Sequence, residues 1–127
     1  KLEAALRARS RPVWVGNPDI VAPRQNGFSV EPGFYAHRLA DQLGLTPRFF
    51  GKPFRNIYDY AFSRLGHDVD RNRTIMVGDS LHTDILGAQN AGISSALVTG
   101  FGFLASLVAD NEISRTGISP DFVLERP

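Results

Sequence analysis

Apolar positions along the chain keep changing period, and each change marks an element. Ile75-Met76-Val77 is a short apolar run closed by Gly78 and followed by a helix predicted over residues 83–91, which Gly92 ends. Such a run, bounded by a turn signal and leading into a helix, reads as a buried parallel strand feeding a βα unit. Upstream, Ala36, Leu39, Ala40 and Leu43 fall at i, i+3, i+4 and i+7. That stripe predicts a helix opened by Pro32 or Gly33 and stopped by Gly44. A short strand follows at residues 48–50, and Asn56 caps a helix to Leu65 with Ile57, Ala61 and Leu65 inward and Tyr58 and Phe62 widening the face. Another strand spans 94–99. Gly100-Phe101-Gly102 then turns into a helix carrying Phe103, Leu104, Leu107 and Val108, residues 110–120 form a loop, and Phe122-Val123-Leu124 is a last strand.

From residue 33 onward helices and strands alternate. Alternation of this kind predicts an α/β fold, a parallel sheet with helices on both faces joined by right-handed crossovers. Residues before 33 lack it and read as part of another module. They comprise a helix tail at 1–11 with Leu2, Ala5 and Leu6 as a thin stripe, a strand Val13-Trp14-Val15, and a turn Asn17-Pro18-Asp19. A loop-like stretch at 20–31 follows, with a brief strand at Phe28 and Val30.

Bulk numbers narrow the classes. With 127 residues, 43% hydrophobic and 21% charged, the chain is one modest globular domain's worth of sequence. A formal net charge of +1 offers no electrostatic case for nucleic acid or an anionic membrane. No apolar stretch approaches the roughly 20 residues of a spanning helix. The absence of cysteine excludes disulfides and thiolate metal sites and fits a reducing compartment, so the cytoplasm is the expected location. The first residue is Lys1, not Met, and the chain is expected to be part of a longer, processed or trimmed polypeptide. Homo-oligomerisation is left open.

Three chemical groups sit at strand ends: Lys52, Asp79 and Asp84. Carboxyl ends of parallel strands share one side of a sheet, so Lys52 and Asp79 are expected to meet at one rim. A hard cation such as Mg²⁺ takes oxygen ligands and keeps several waters, which suits Asp79 as a direct ligand. Asp84 is placed to hold a metal-bound water or to orient Lys52. Lysine is a point charge able to neutralise a phosphate oxygen. Together they fit phosphoryl transfer, which is largely positioning and charge neutralisation. The bland alternatives are a surface lysine and a helix-start acid. Asp68-Val69-Asp70 follows a helix stop, with no apolar strand before it, and reads as a solvated loop.

The string V-G-D-S-L-H-T-D-I-L-G-A at 77–88, preceded by G-K-P at 51–53 and N-P-D at 17–19, resembles the haloacid dehalogenase (HAD) superfamily of phosphohydrolases. More narrowly it is similar to class IIA, which includes p-nitrophenyl phosphatase, pyridoxal phosphatase and phosphoglycolate phosphatase relatives. The resemblance implies a Rossmann-like HAD core, with residues 1–46 as the end of a cap domain and 47–127 as the second half of the core. It implies Lys52 as the lysine that steadies nucleophile and phosphoryl group, Asp79 as the Mg²⁺ ligand, and Asp84 as its partner acid in catalysis and metal support. Thr83 would be a capping or supporting group. Asn17 and Asp19, in the cap's return segment, would lie on the substrate side. The substrate would be a small phosphomonoester, hydrolysed through an aspartyl-phosphate. The family's D-x-D, which carries the attacking aspartate and the general acid, has no counterpart here, so this segment alone is expected to be inactive.

Two other readings stand beside it. Gly100-Phe101-Gly102-Phe103-Leu104-Ala105 fits the dinucleotide pattern G-x-G-x-x-A, with Glu125 where a ribose-binding acid belongs. Two phenylalanines crowd that loop, however, and the pattern belongs in a first βα unit. The second alternative is a non-catalytic interaction module with an unfinished sheet.

Overall fold

Ile75-Met76-Val77 forms the edge of a three-stranded parallel sheet. A computed structural model describes residues 1–66 and 68–127. It comprises two compact units, Lys1–Gly51 and Lys52–Pro127.

The second unit holds strands β5 (Ile75–Gly78), β6 (Ser94–Val98) and β7 (Phe122–Leu124) in the order β5-β6-β7, all parallel. Gly78 pairs with Leu97, and Ala96 with Phe122. Helix α3 (Arg55–Leu65) precedes the sheet, α4 (Leu86–Ala91) joins β5 to β6, and α5 (Ala109–Thr116) joins β6 to β7. Parallel strands need such crossovers. The core is a cluster of Leu81, Ile85, Leu97, Leu104 and Ile118, with Leu86, Ala109 and Ile113 packed against it. Ile85 and Leu97 are fully buried, and burial of each stabilises the unit by about 1.5–3 kcal/mol.

The strand positions and helix α2 (Pro32–Leu43) follow the sequence, but β5, expected to be buried, is an edge strand with Ile75 and Val77 46% exposed, and four further elements depart from expectation. The helix predicted at 103–108 is only a 3₁₀ turn, Gly102–Leu104, while the predicted loop at 110–120 contains α5. Acids at Asp110 and Glu112 start α5 and Gly117 stops it in the left-handed region. Its apolar stripe is thin, only Ala109 and Ile113 packing against the core in an otherwise polar sequence. On α3 the buried residue is Tyr58, whereas Ile57, Ala61 and Leu65 are exposed. Phe62 lies one turn on from Tyr58, beneath the Arg71 guanidinium at 4.2 Å. Residues 81–91 form a wide π turn, Leu81–Ile85, before α4 begins. Asp70 caps a 3₁₀ turn, Arg71–Arg73, by accepting from Asn72 N–H at 2.9 Å. The D-x-D therefore serves a turn.

The first unit contains α1 (Leu2–Ala8), β1 (Trp14–Val15), α2 (Pro32–Leu43) and β4 (Arg48–Phe49). Leu39 and Ala36 are buried as the stripe predicts, and Gly44 caps α2 with φ 61°. The fourth departure is the stretch at 20–31, which is an antiparallel hairpin of β2 (Val21–Arg24) and β3 (Gly27–Val30). Its two turn residues are Gln25-Asn26, and Gly27 opens β3 with a positive φ of 110° that glycine tolerates. Strand β4 pairs in parallel with β1.

Candidate active site

Strand β5 delivers Asp79 directly after its carboxyl end. The chain then turns at Ser80, whose carbonyl accepts from both Asp84 N–H at 3.0 Å and Ile85 N–H at 3.1 Å. The second bond closes the i→i+5 ring of a π turn, a geometry frequent at functional sites. It swings Asp84 back beneath the strand end. Asp84 is 3% exposed, and a carboxylate so buried needs partners. Its Oδ2 accepts from Asp79 N–H at 3.1 Å and Ser80 N–H at 3.2 Å. Its Oδ1 is ion-paired with the Lys52 ammonium.

Room for that carboxylate comes from Gly78. A Cβ there would lie 2.2 Å from the Asp84 carboxyl carbon. Lys52 reaches the site from the loop ahead of α3, and that loop is tied to α4 by Asn90 Nδ2 donating to the Pro53 carbonyl at 2.9 Å. The Lys52 side chain is 44% exposed and that of Asp84 4%, so the pair is buried on one side and open on the other.

Asp79 is half-buried. Its Oδ2 accepts from Phe103 N–H at 3.2 Å, and its Oδ1 has no hydrogen-bond partner among the described residues. Behind Asp84, the Tyr58 ring packs where α3 meets α4. Its hydroxyl is buried and has no partner among the described residues. Burial pushes the phenol up to about 12, and the Asp84 charge adds to the shift.

Asp84 links the Lys52 ammonium to the backbone of Asp79, although the strand before Lys52, β4, pairs with β1 and not within the sheet of β5, so the shared sheet rim expected for Lys52 and Asp79 is not what joins them. A cation is braced on a buried carboxylate, and the same carboxylate grips the backbone that carries a second acid. No cluster of three or more His, Cys, Asp or Glu gathers among the described residues to hold a metal. Mg²⁺ does not need one, since it binds through one or two carboxylates and keeps several waters. The unbonded Oδ1 of Asp79 fits that demand. Asp84, expected as ligand or supporting acid, has both oxygens engaged.

Asn17 and Asp19 lie in the first unit. Asn17 Oδ1 accepts from Asp19 N–H at 3.0 Å, closing a turn. The Pro18 and Asp19 carbonyls press on Gly33, where a Cβ would lie 1.9 Å from Pro18 O. The N-P-D motif is thus a built turn on the start of α2. Thr83 sits within the π turn and not at a helix cap.

The family model described as HAD-hydrolase-like matches residues 49–126, well over half of the chain. The chain belongs to the HAD-hydrolase-like family. It is 39% identical over 82 residues to the 5'-nucleotidase YutF of Bacillus subtilis (strain 168), covering 65% of this chain and 31% of that protein. It is 32% identical over 110 residues to an acid sugar phosphatase of Staphylococcus aureus (strain MRSA252), covering 85% of this chain and 42% of that one. A p-nitrophenyl phosphatase from Archaeoglobus fulgidus matches in structure with a TM-score of 0.81 at 28% identity, over 98% of this chain and 46% of that chain. This HAD chain therefore spans between about a third and just under half the length of these relatives.

The dinucleotide reading fails on volume. A pyrophosphate would need the space the two glycines leave open. In this HAD chain that space is filled from within: a Cβ at Gly100 would meet the Glu125 carbonyl oxygen at 2.4 Å, and one at Gly102 would meet Asp79 Oδ2 at 1.4 Å. Sequence reading missed Gly78, Gly102, Tyr58 and the N–H groups of Asp79, Ser80 and Phe103. Only the glycines left a signal, Gly78 at the end of the strand before Asp79 and Gly102 in the G-x-G turn, although neither stands beside the acid it admits. Among the described residues no helix is long and apolar enough to cross a membrane.

Proposed function

We propose that the complete protein is a Mg²⁺-dependent phosphatase of small phosphomonoesters, and that the Lys52–Pro127 unit supplies its metal-holding and charge-neutralising side. The carrying observation is the shared Asp84 carboxylate, which binds the Lys52 ammonium on one oxygen and the Asp79 and Ser80 N–H groups on the other. One buried acid thereby sets the spacing between a cation and a second carboxylate.

In this reading Asp79 would hold Mg²⁺ through its unbonded oxygen. Mg²⁺, when bound, neutralises charge on the phosphoryl oxygens. Lys52 presents its ammonium to the phosphoryl group and to the attacking carboxylate. Because its side chain is nearly half exposed while its partner is buried, the charge is held in place yet remains reachable. Asp84 acts through the groups it grips, as a positioning acid. The hydrolysis would run through an aspartyl-phosphate, and its nucleophile and general acid have no counterpart in these 127 residues. We assign both to a segment outside this sequence. A substrate role for Asn17 and Asp19 rests on the N-P-D resemblance alone. Sugar phosphatase and nucleotidase relatives support a small phosphomonoester, and a cysteine-free chain fits the cytoplasm.

The test is Mg²⁺-dependent release of inorganic phosphate from p-nitrophenyl phosphate and sugar phosphates by the complete protein. Asp79→Asn should lose most of the rate and its Mg²⁺ dependence, and the 127-residue chain alone should show no turnover. Unchanged Mg²⁺-dependent turnover in Asp79→Asn overturns the site assignment.

A further inference from the structure

We propose that the turn at residues 100–104 is a positioning element for Asp79: it holds one carboxylate oxygen and leaves the other for the cation. The metal half of this statement rests on the reading of Asp79 as the Mg²⁺-holding acid. The positioning half does not.

Three observations carry it. Phe103 N–H donates to Asp79 Oδ2 at 3.2 Å. The Oδ2 atom occupies the place a side chain at position 102 would take, with Asp79 Oδ2, Cγ and Cβ at 1.4, 2.4 and 2.9 Å from a Cβ built there. At 1.4 Å, a covalent separation, no small adjustment suffices, and the carboxylate must leave. The turn is itself anchored to the sheet. Gly100 N–H donates to the Glu125 carbonyl at 3.0 Å and Thr99 N–H to the Leu124 carbonyl at 2.9 Å, at the exit of β7. A backbone N–H fixed in this way can hold a carboxylate oxygen in one orientation. A carboxylate with one oxygen held presents the other to a ligand without first losing rotational freedom.

The same geometry explains the Gly-x-Gly pattern. Gly100 yields to the Glu125 carbonyl and Gly102 to the Asp79 carboxylate. The anion this loop approaches is the protein's own.

Substituting Gly102 has two effects that must be separated. Gly102 has φ +68°, so an L-residue there is strained whatever the space. Gly117 supplies the control. Its φ is +69° and a Cβ there meets nothing within 4 Å. Gly117→Ala reproduces the strain without touching Asp79.

The experiment uses amide NMR spectra of the complete protein, with a MgCl₂ titration of wild type, Gly102→Ala and Gly117→Ala, and a metal-free comparison of wild type with Asp79→Ala. Losing a charge-assisted hydrogen bond and the held orientation corresponds to about tenfold or more in affinity. Gly102→Ala should weaken Mg²⁺ binding by at least that factor, and Gly117→Ala should stay within about twofold of wild type. Without metal, Asp79→Ala should shift the Phe103 amide resonance. Equal Mg²⁺ affinity in Gly102→Ala and wild type overturns the proposal, as does an equal loss in Gly117→Ala. Should wild type bind no Mg²⁺, the reading of Asp79 as a metal ligand fails, and the Phe103 amide decides the positioning claim. An amide unmoved by Asp79→Ala sinks it. That comparison needs no change in the turn, so the claim stays decidable if Gly102→Ala does not fold.

Discussion

Replacing Gly87 with alanine should destabilise the protein, although the same change in most helices stabilises them. Gly→Ala in a helix interior ordinarily gains about 1 kcal/mol. At position 87, within α4, the new methyl would meet Tyr58 Oη at 2.2 Å, Cζ at 3.0 Å and Cε2 at 3.1 Å. The Tyr58 ring is 7% exposed and has little room to retreat. Overpacking of this kind costs about 1–3 kcal/mol, so the net loss should be about 0–2 kcal/mol. Tyr58→Phe removes the atom at 2.2 Å and leaves the nearest contact at 3.0 Å, tight but tolerable. The hydroxyl has no partner among the described residues, so this change alone should cost little, about 1 kcal/mol or less in either direction. In the Tyr58→Phe background the helix gain should reassert itself, and Gly87→Ala should become neutral or stabilising. The two changes should couple by about 1–2 kcal/mol. Urea unfolding of all four proteins, followed by far-ultraviolet circular dichroism, reads this as midpoint shifts at constant slope. Effects that add within about 0.5 kcal/mol would refute the contact. The contact also bears on the site: α3 follows the loop of Lys52 and α4 follows the turn of Asp84, so their separation sets the span of the ion pair.

Other tests address charge. The Tyr58 phenol, pushed up to about 12 from 10.0, is held neutral by the fold. Its contribution to stability should be complete below pH 10.0 and drain away as pH rises to about 12. A phenolate absorbance titration should show a late step that Tyr58→Phe removes. Asp121 Oδ2 accepts from Ser95 N–H at 2.7 Å and Ser95 Oγ at 2.9 Å, bonds that hold its carboxyl below the usual carboxylate range. Stability from this group is present above the unfolded value and lost as pH falls through the folded one, so Asp121→Asn should flatten acid unfolding below about pH 4. Identical acid limbs in both proteins would argue against the Ser95 link. Asp84→Ala strands two backbone N–H groups and Lys52, and should cost about 2–4 kcal/mol in urea midpoints. Lys52→Ala should cost only about 1–2 kcal/mol, because its side chain is 44% exposed. The reverse order would contradict the anchoring role of Asp84.

Much of this molecule was legible from period and punctuation. Ile75–Gly78, Ser94–Val98 and Phe122–Leu124 are apolar runs between turn residues, and α2 shows its stripe and its glycine stop. The strand-end argument placed Lys52 with Asp79 at one sheet rim, whereas the strand before Lys52 pairs with β1 and not within the sheet of Asp79, and Lys52 is ion-paired with Asp84. The misses share a cause. Helix α5 reads A-D-N-E-I-S-R-T, and only a few of its residues meet the core, so its caps outweigh any stripe. The π turn adds one residue to a helical ring, which periodicity over so short a segment does not register. On α3, the buried face follows the space left by Gly87 and not the largest count of apolar residues.

Glycine is the residue whose meaning changed most between sequence and structure. In the sequence, Gly78 ends a strand, Gly87 passes unremarked inside the helix predicted over 83–91, and Gly102 mimics a phosphate loop. Each one instead leaves a volume that a functional or buried oxygen fills: Asp84 Oδ2 at 2.2 Å, Tyr58 Oη at 2.2 Å and Asp79 Oδ2 at 1.4 Å from the Cβ that is not there. Gly78 and Gly87 have no left-handed backbone to explain them. Conformational freedom therefore cannot be the reason for glycine at those two positions, and excluded volume can. A site made of short carboxylates close to a strand end needs such space, because Asp has only one methylene with which to move out of the way. The acids of this site and the glycines that admit them form one arrangement, and neither set can be varied without the other.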